Sequence, residues 1–302
     1  MEYLKTCGRK LLQWYLRDFP LRNGKGAFYE RFQECLAPAE RYVIAELSAG
    51  FRMKLDLHDP AHRKTFFFGS YDERHEIEMV KRVLEEREVF WDVGANIGVY
   101  SLLAATLVKN NGRIVAFEPA NIAYEMLLEN IALNHFDNIL PFKVAVADAE
   151  GEAVLFAAAH IADGGANLFS PGTEQTITQT CRTVTLDKFS QDQQLPSPDF
   201  IKMDIEGAEL AVLRGAELIL TRDQPLLLIE MKDAVLKAAG TDKSLIQDIL
   251  VKYGYVPAFL HRRKWYQTDD VTRVKSRNIF WFKPSLSRHR EKAARIPVRT
   301  PS

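Results

Sequence analysis

The chain has 302 residues, enough for one large domain or one domain with an added subdomain, and its 47% apolar content can form a substantial core. Forty Lys and Arg residues balance forty Asp and Glu residues, which gives no electrostatic case for DNA, RNA or an anionic membrane as the main partner. The three cysteines show no metal-ligand spacing and suit a reducing compartment, so we expect a cytoplasmic protein.

Residues 1–40 have a helical pattern that is interrupted by prolines and glycines. Basic residues break its apolar positions, so no signal peptide is predicted, and no apolar run reaches the roughly 20 residues of a membrane span. Docking onto the domain is the favoured use of one helix face, with a membrane-surface helix as the alternative; that face holds Leu4, Leu11, Leu12, Tyr15 and Phe19. Residues 42–57 alternate around Gly50 and predict a hairpin, which completes an N-terminal α+β extension over residues 1–64.

From residue 89 onward, strand patterns alternate with helix patterns. Strands are predicted at 89–94, 113–119, 139–148, 150–158, 199–207, 225–232, 255–260 and 277–282. Helices are predicted at 98–110, 124–134, 209–218 and 243–254. This alternation indicates an α/β domain over residues 65–283, with a mostly parallel sheet, helices on both faces and an antiparallel pair at one edge. Residues 157–180 are predicted to be a loop, and 284–302 a disordered basic tail.

The turn after the first of these strands, DVGANIG, is a candidate ligand site. A dinucleotide fingerprint requires three glycines in the pattern G-x-G-x-x-G, but this turn has only Gly94 and Gly98. S-adenosylmethionine has an adenosine end without a phosphate and needs less glycine at the contact. Asp92, Asn96 and backbone amides could bind its amino-acid end. Alternatively, the two glycines serve only to make a tight turn between strand and helix.

An acid ends the next strand, 24 residues after Gly94. A carboxylate at the position of Glu118 can accept hydrogen bonds from ribose hydroxyls. Because ligands of parallel sheets bind outside the carboxyl ends of the strands, Glu118 favours a ligand site over a purely structural turn.

Further acids follow two later strands, in the stretch FIKMDIEGAE and at Glu230. Asp204 and Glu206 point to one side of an extended strand, whereas Glu209 fits the first turn of a helix. Lys202 shares the side of Asp204, so an ion pair between them is the structural alternative. Several carboxylates around one crevice repel each other, and a sulfonium, an ammonium or a divalent metal could relieve that repulsion. The spacing does not distinguish these cations, and we assign no metal ligands.

Several stretches together resemble the FkbM-type methyltransferases over about residues 65–260. They are, in order, DVGANIGVYSLLAA, GRIVAFEPANIAYEMLLENIALN, AVADAEGEAVLF, VTLDKF, DFIKMDIEGAELAVLRGAE and PLLLIEM. The resemblance implies a class I methyltransferase (Rossmann-like) fold with a seven-stranded sheet and S-adenosylmethionine as methyl donor. It also implies O-methylation of a hydroxyl on a sugar, a glycan or a small natural product. It matches the donor site to Asp92, Gly94, Asn96, Gly98, Glu118 and Asp148, and places Asp204 and Glu206 beside the methyl and acceptor region.

The chemistry of O-methylation requires a group that accepts the hydroxyl proton. Asp204 and Glu206 are the candidate bases, with His160 a less favoured one. The aromatic run Phe66–Phe68 could line an acceptor pocket or pack in the core. Two other functions stay open: methyl transfer to a nitrogen or a macromolecule, and a nucleotide-binding oxidoreductase.

Overall fold

A computed structural model describes residues 2–20, 24–158, 166–167, 176–261, 264–296 and 298–299. The described residues divide into two compact units, the first ending at Arg74 and the second beginning at His75. The sequence placed this boundary at residue 64. The difference arises because the helix that follows residue 59 packs Phe67 into the core of the first unit.

The first unit combines three helices with one hairpin. Its elements are α1 (Glu2–Arg17), α2 (Lys25–Leu36), β1 (Tyr42–Glu46), β2 (Arg52–Asp56) and α3 (Pro60–Phe68). The antiparallel pair β1–β2 confirms the predicted hairpin. Asp59 caps α3 by accepting hydrogen bonds from the amides of Ala61 and His62. Phe67 is fully buried together with Leu16, so core packing is the correct interpretation for this member of the aromatic run.

The second unit contains the remaining helices and strands. They are α4 (Arg74–Val83), β3 (Val89–Val93), α5 (Val99–Val108), β4 (Arg113–Phe117), α6 (Asn121–Asn134), β5 (Ile139–Phe142), β6 (Ala145–Val146), β7 (Gly151–Ala158), β8 (Ala166–Asn167), β9 (Thr176–Val184), α7 (Leu186–Asp192), β10 (Phe200–Met203), α8 (Glu209–Arg214), β11 (Leu226–Glu230), α9 (Asp233–Ala238), α10 (Lys243–Lys252), β12 (Val256–His261), β13 (Lys264–Gln267), β14 (Asn278–Phe282), α11 (Ser287–Arg295) and β15 (Val298–Arg299).

The main sheet has the strand order β15-β13-β12-β14-β11-β10-β3-β4-β5. The five strands from β11 to β5 are parallel, and β14 and β12 form the predicted antiparallel pair. The described sheet therefore has nine strands instead of the seven expected, because β13 and β15 extend it beyond β12. Pro141 lies in β5, an edge strand, where a missing amide donor is tolerated.

A second sheet, β6-β9-β7-β8, corrects two predictions. The single strand expected over residues 139–148 is two strands: β5 pairs with β4, and β6 pairs with β9. The loop expected over residues 157–180 already contains the start of β9, because Thr176 pairs with Ala158 across a long antiparallel ladder. Polar and β-branched residues of the TITQT stretch suit a strand that is exposed on one face.

The disordered tail predicted over residues 284–302 is wrong for residues 287–295, which form α11. His289 is buried there and accepts a hydrogen bond from the Lys283 amide through Nδ1 (2.9 Å). Lys292 donates to the Val83 carbonyl (2.8 Å) and pairs with Glu88. The basic composition suggested a solvated segment, but two of its polar side chains reach buried partners.

The turn between β3 and α5 requires glycine at its first position. Gly94 has φ +82°, and a Cβ atom there would lie 1.9 Å from the carbonyl oxygen of Asp204. The amides of Gly94 and Ala95 both donate to the Phe117 carbonyl (3.0 Å each). The turn is thus fixed between the ends of β10 and β4, and any side chain at residue 94 would displace one of them.

Replacing Gly94 by Ala should destabilise the larger unit by about 3 kcal/mol or more, because backbone strain adds to the contact with the Asp204 carbonyl. Gly240→Ala is the matched control: its φ is +72°, but nothing lies within 4 Å of the added Cβ, so it should cost only about 1 kcal/mol. Urea denaturation followed by tryptophan fluorescence measures both, since Trp91 and Trp281 are buried in this unit. Equal losses in the two variants would refute the close approach.

Candidate functional site

The carboxyl ends of four neighbouring strands lie at the same level of the main sheet. The register aligns Phe117 of β4, Val93 of β3, Met203 of β10 and Ile229 of β11. Three acids come directly after these residues: Glu118, Asp204 and Glu230. The prediction that acids at parallel strand ends share one edge of the sheet is therefore confirmed in its geometry, while their role in binding stays a prediction.

Glu118 connects this edge to the glycine turn. One carboxylate oxygen accepts from the Asn96 amide (2.7 Å) and the other from the Ala120 amide (2.9 Å). The side chain is buried, and burial raises the pKa of Glu118 to about 7 against the opposing effect of the two amides. Since each carboxylate oxygen has a second lone pair, Glu118 retains capacity to accept two more hydrogen bonds.

Two residues of the turn adopt left-handed backbone conformations beside Glu118. Asn96 has φ +49° and Gly98 has φ +96°. These conformations aim the Asn96 amide at Glu118 before α5 begins at Val99. The amides of Gly94, Ala95 and Asn96 are thus bound to the Phe117 carbonyl and to Glu118, and donor binding by this turn stays a prediction.

Asp92 lies one pleat deeper in β3 and is fully buried. One of its oxygens accepts from the Ser101 hydroxyl of α5 (2.6 Å), while Oδ1 has no hydrogen-bond partner among the described residues. Burial raises its pKa above the ordinary value, although Lys202 and Ser101 act in the opposite direction. In this structure Asp92 therefore anchors α5 to β3, and its proposed contact with a donor ammonium is not tested by the geometry.

Lys202 lies between two of the acids. Its Nζ is 3.4 Å from Asp204 Oδ2 and 3.8 Å from Asp92 Oδ1, and it also stands over the ring of Tyr100, 4.8 Å from the centroid. The ion pair with Asp204 that the strand pattern allowed is thus present. A buried cation beside Asp92 and Asp204 offsets the cost of placing two carboxylates close together.

Asp204 and Glu230 form a carboxyl–carboxylate pair, and their oxygens lie within 4.8 Å of each other. Burial and the adjacent Asp204 raise the pKa of Glu230 to about 9, so Glu230 keeps its proton at neutral pH and donates it to Asp204. Burial alone would raise the pKa of Asp204, but Lys202 and the hydrogen bond from Glu230 hold it below its usual value. The opposite shifts of the two pKa values favour one shared proton and one negative charge on the pair at neutral pH.

Lys232 binds two further acids at the same edge. Its Nζ lies 2.7 Å from Glu230 Oε2 and 2.9 Å from Glu206 Oε1. Glu206 itself has φ +51°, which turns its side chain toward Lys232. Lys232 is not among the predicted site residues, although its position two residues after Glu230 is the same signal that predicted Lys202 beside Asp204.

Glu209 has a structural role at the start of α8. It is 2% exposed, and its Oε1 accepts from the amides of Gly207 (3.3 Å) and Ile205 (3.4 Å). Burial raises the pKa of Glu209 to about 7. The carboxylate thus holds the turn that carries Asp204 and Glu206, which agrees with its interpretation as an acid of the first helical turn.

Asp148 is exposed in the bend after β6, a strand of the second sheet, and its predicted role in the donor site stays a prediction. His160, the less favoured base, lies outside the described residues.

The sequence matches the Methyltransferase FkbM domain over residues 92–257. The hexuronic acid methyltransferase AglP of Haloferax volcanii is 31% identical over 147 residues, which are 48% of this chain and 57% of that protein. Methyltransferase sdnD of Sordaria araneosa is 30% identical over 155 residues, 42% of this chain and 59% of that protein. The chain thus spans less than two thirds of the length of these curated relatives.

Among solved structures, the chain is similar to methyltransferase FkbM from Methylobacillus flagellatus KT. The TM-score is 0.43 and the identity 20%, over 65% of this chain and 43% of that one. The parallel strands β3, β4, β5, β10 and β11 with the antiparallel β14 and β12 give the expected α/β fold of class I methyltransferases. Because the matched domain covers more than half of the sequence and includes the acidic strand ends, the chain belongs to the FkbM methyltransferase family.

Proposed function

We propose that the chain is an S-adenosylmethionine-dependent O-methyltransferase that acts on a hydroxyl of a sugar, a glycan or a small natural product. The observation that carries this proposal is the hydrogen bond from the Asn96 amide to Glu118, which joins the glycine turn and the acid of the next strand into one unit. The relative named for hexuronic acid supports a sugar as the acceptor class. None of the helices in the described ranges is long and apolar enough to span a membrane.

The residues at this edge fit S-adenosylmethionine by the chemistry of their atoms. Glu118 has free acceptor capacity for the two ribose hydroxyls, and Gly94, Asn96 and Gly98 form a turn with no bulky side chain at its first position. The carboxylates of Asp204 and Glu206 supply negative charge near which a sulfonium cation is favoured. When bound, this donor supplies an electrophilic methyl group that needs no further activation.

Asp204 is the better placed of the two candidate bases. It is ionised, because Lys202 and Glu230 both stabilise its charged form, and its 3.4 Å ion pair with Lys202 is longer than the 2.9 Å hydrogen bond between Lys232 and Glu206. Glu206 is bound by Lys232 and would have to give up that contact to accept a proton. A hydroxyl oxygen becomes strongly acidic as it forms a bond to the methyl carbon, so a carboxylate with a low pKa suffices as the acceptor. Glu230, Lys202 and Lys232 act as positioning residues in this account.

Glu118→Ala should weaken S-adenosylmethionine binding by about tenfold to a hundredfold, because it removes the acceptor for the ribose hydroxyls and loosens the Asn96 turn. Isothermal titration calorimetry with S-adenosylmethionine and S-adenosylhomocysteine measures the affinity, and Glu152→Ala, an exposed residue of β7, is the matched control. Unchanged affinity in Glu118→Ala would remove its ribose role. Tight NADH binding without S-adenosylmethionine binding would favour the oxidoreductase alternative.

The raised pKa of Glu118 predicts a pH dependence of donor binding. Because the ionised form accepts the ribose hydroxyls and attracts the sulfonium, affinity should fall by about tenfold from pH 8 to pH 6, across the pKa of about 7. Glu118→Gln, which cannot ionise, should bind weakly with a flat profile over this range. Parallel profiles of wild type and Glu118→Gln would show that another group controls the dependence.

Asp204→Asn should lower kcat by about a hundredfold or more, because it removes the proton acceptor, while S-adenosylmethionine affinity should fall much less, since Glu118 and Glu206 remain. Glu206→Gln should have a smaller effect, since Glu206 is bound to Lys232. Transfer of a labelled methyl group to a panel of uronic acids, neutral sugars and small alcohols measures the activity. If Glu206→Gln alone abolishes turnover, the two roles are reversed.

A further inference from the structure

The apolar side chains that remain exposed are concentrated in the first two helices. Six of the fifteen large apolar side chains exposed among the described residues belong to α1 and α2, although these helices contain only 28 residues. We call these six the apolar patch: Tyr3, Leu4, Leu11, Trp14, Phe28 and Phe32. Single exposed apolar residues are ordinary, but clustering of this kind is typical of a surface that binds another protein, a membrane or a ligand.

The two sides of α1 have different environments. Leu12 and Leu16 are buried with Phe67 of α3 in the core of the first unit, while docking of this helix onto the larger unit stays a prediction. Leu4 and Leu11, seven residues apart on an adjacent side of the helix, are 73% and 65% exposed. α1 therefore has two apolar strips: one is buried in the core of the first unit, and the other is exposed.

Aromatic rings make the patch continuous from α1 to α2. Trp14 contacts Phe19, Phe19 contacts Tyr15, and Tyr15 contacts Phe28, with ring centroids 5.5, 5.3 and 5.0 Å apart. Phe28 in turn contacts Phe32 at 6.0 Å. Trp and Tyr side chains with one apolar body and one polar atom favour the boundary between lipid and water.

Charge decides which partner this patch fits. α1 and α2 together carry six basic residues against the three acids Glu2, Glu30 and Glu34, whereas the whole chain has a net charge of zero. Two of the six, Arg9 and Arg17, donate to backbone carbonyls of the first unit. Lys5 and Lys10 are exposed beside the apolar strip, and the Arg31 guanidinium lies 5.9 Å from the Phe32 ring centroid. Two copies of this face would bring like charges together, whereas the headgroups of anionic lipids would attract them.

We propose that the apolar patch of α1 and α2 binds the surface of a bilayer that contains anionic phospholipids, with its aromatic and leucine side chains inserted and Lys5 and Lys10 at the headgroups. This second activity is independent of the methyl-transfer proposal, and either can fail without the other. It selects the alternative that the sequence analysis placed second for this helix.

Trp14 provides a direct probe of the contact. It is 50% exposed, whereas Trp91, Trp265 and Trp281 are at most 4% exposed, so a change in tryptophan emission on adding lipid reports Trp14. With the full chain, vesicles of phosphatidylcholine and phosphatidylglycerol in equal parts should shift the emission to shorter wavelength, and brominated lipid should quench it. Trp14→Phe should abolish the shift. An unchanged spectrum with bound vesicles would contradict the insertion of α1.

Vesicle flotation tests the affinity and the charge dependence. Leu11→Glu should weaken binding by about tenfold, as should the charge reversal Lys10→Glu, and vesicles of pure phosphatidylcholine should bind about tenfold less wild-type protein. Ile44→Glu is the matched control, since Ile44 is 61% exposed in β1 of the same unit. Circular dichroism establishes that each variant is folded. Equal binding by wild type and Leu11→Glu would overturn the proposal. It would also be overturned if the wild-type protein does not bind vesicles but forms a dimer that the Leu11→Glu substitution dissociates.

Discussion

The contact between the Gly94 backbone and the end of β10 is the constraint on which the site depends. With no side chain at residue 94, the turn after β3 lies directly against the Asp204 carbonyl, and its amides reach the Phe117 carbonyl of β4 on the other side. Three strand ends are thereby held at one level. The acids that follow two of them, Glu118 and Asp204, take their positions from the register of the sheet and not from loops that could move independently.

Placing several acids at one edge creates an electrostatic cost that the fold offsets in three ways. Lys202 and Lys232 each contact two acidic side chains, Glu230 shares a proton with Asp204, and Glu118 accepts from two backbone amides. These devices differ in their consequences. The lysines fix Asp204 and Glu206 in place, whereas Glu118 has no lysine within salt-bridge distance among the described residues and keeps a raised pKa.

The parts of this arrangement that depend on local pattern could be predicted from the sequence. Alternating strands and helices predicted β3, β4, β10 and β11, and acids directly after parallel strands had to share one edge. The second sheet and α11 could not be predicted in the same way, because β6, β9 and Lys292 gain their partners from residues distant in the chain. The rotation of Glu206 toward Lys232 likewise depends on a positive φ that a strand pattern does not reveal for a non-glycine residue.

Asp204 and Glu206 belong to one short motif but have different backbone conformations and different lysine partners. Both belong to the same D-x-E-G element, yet Asp204 continues the direction of β10 and keeps the alternation that places it beside Lys202. Glu206 and Gly207 then both adopt positive φ, which ends the strand geometry and makes room for the Glu209 carboxylate under the turn. Because Glu209 accepts from the Gly207 amide, the first turn of α8 holds the backbone that separates the two acids. The difference between Asp204, which pairs with Lys202, and Glu206, which is hydrogen-bonded to Lys232, is therefore set by the backbone of the turn.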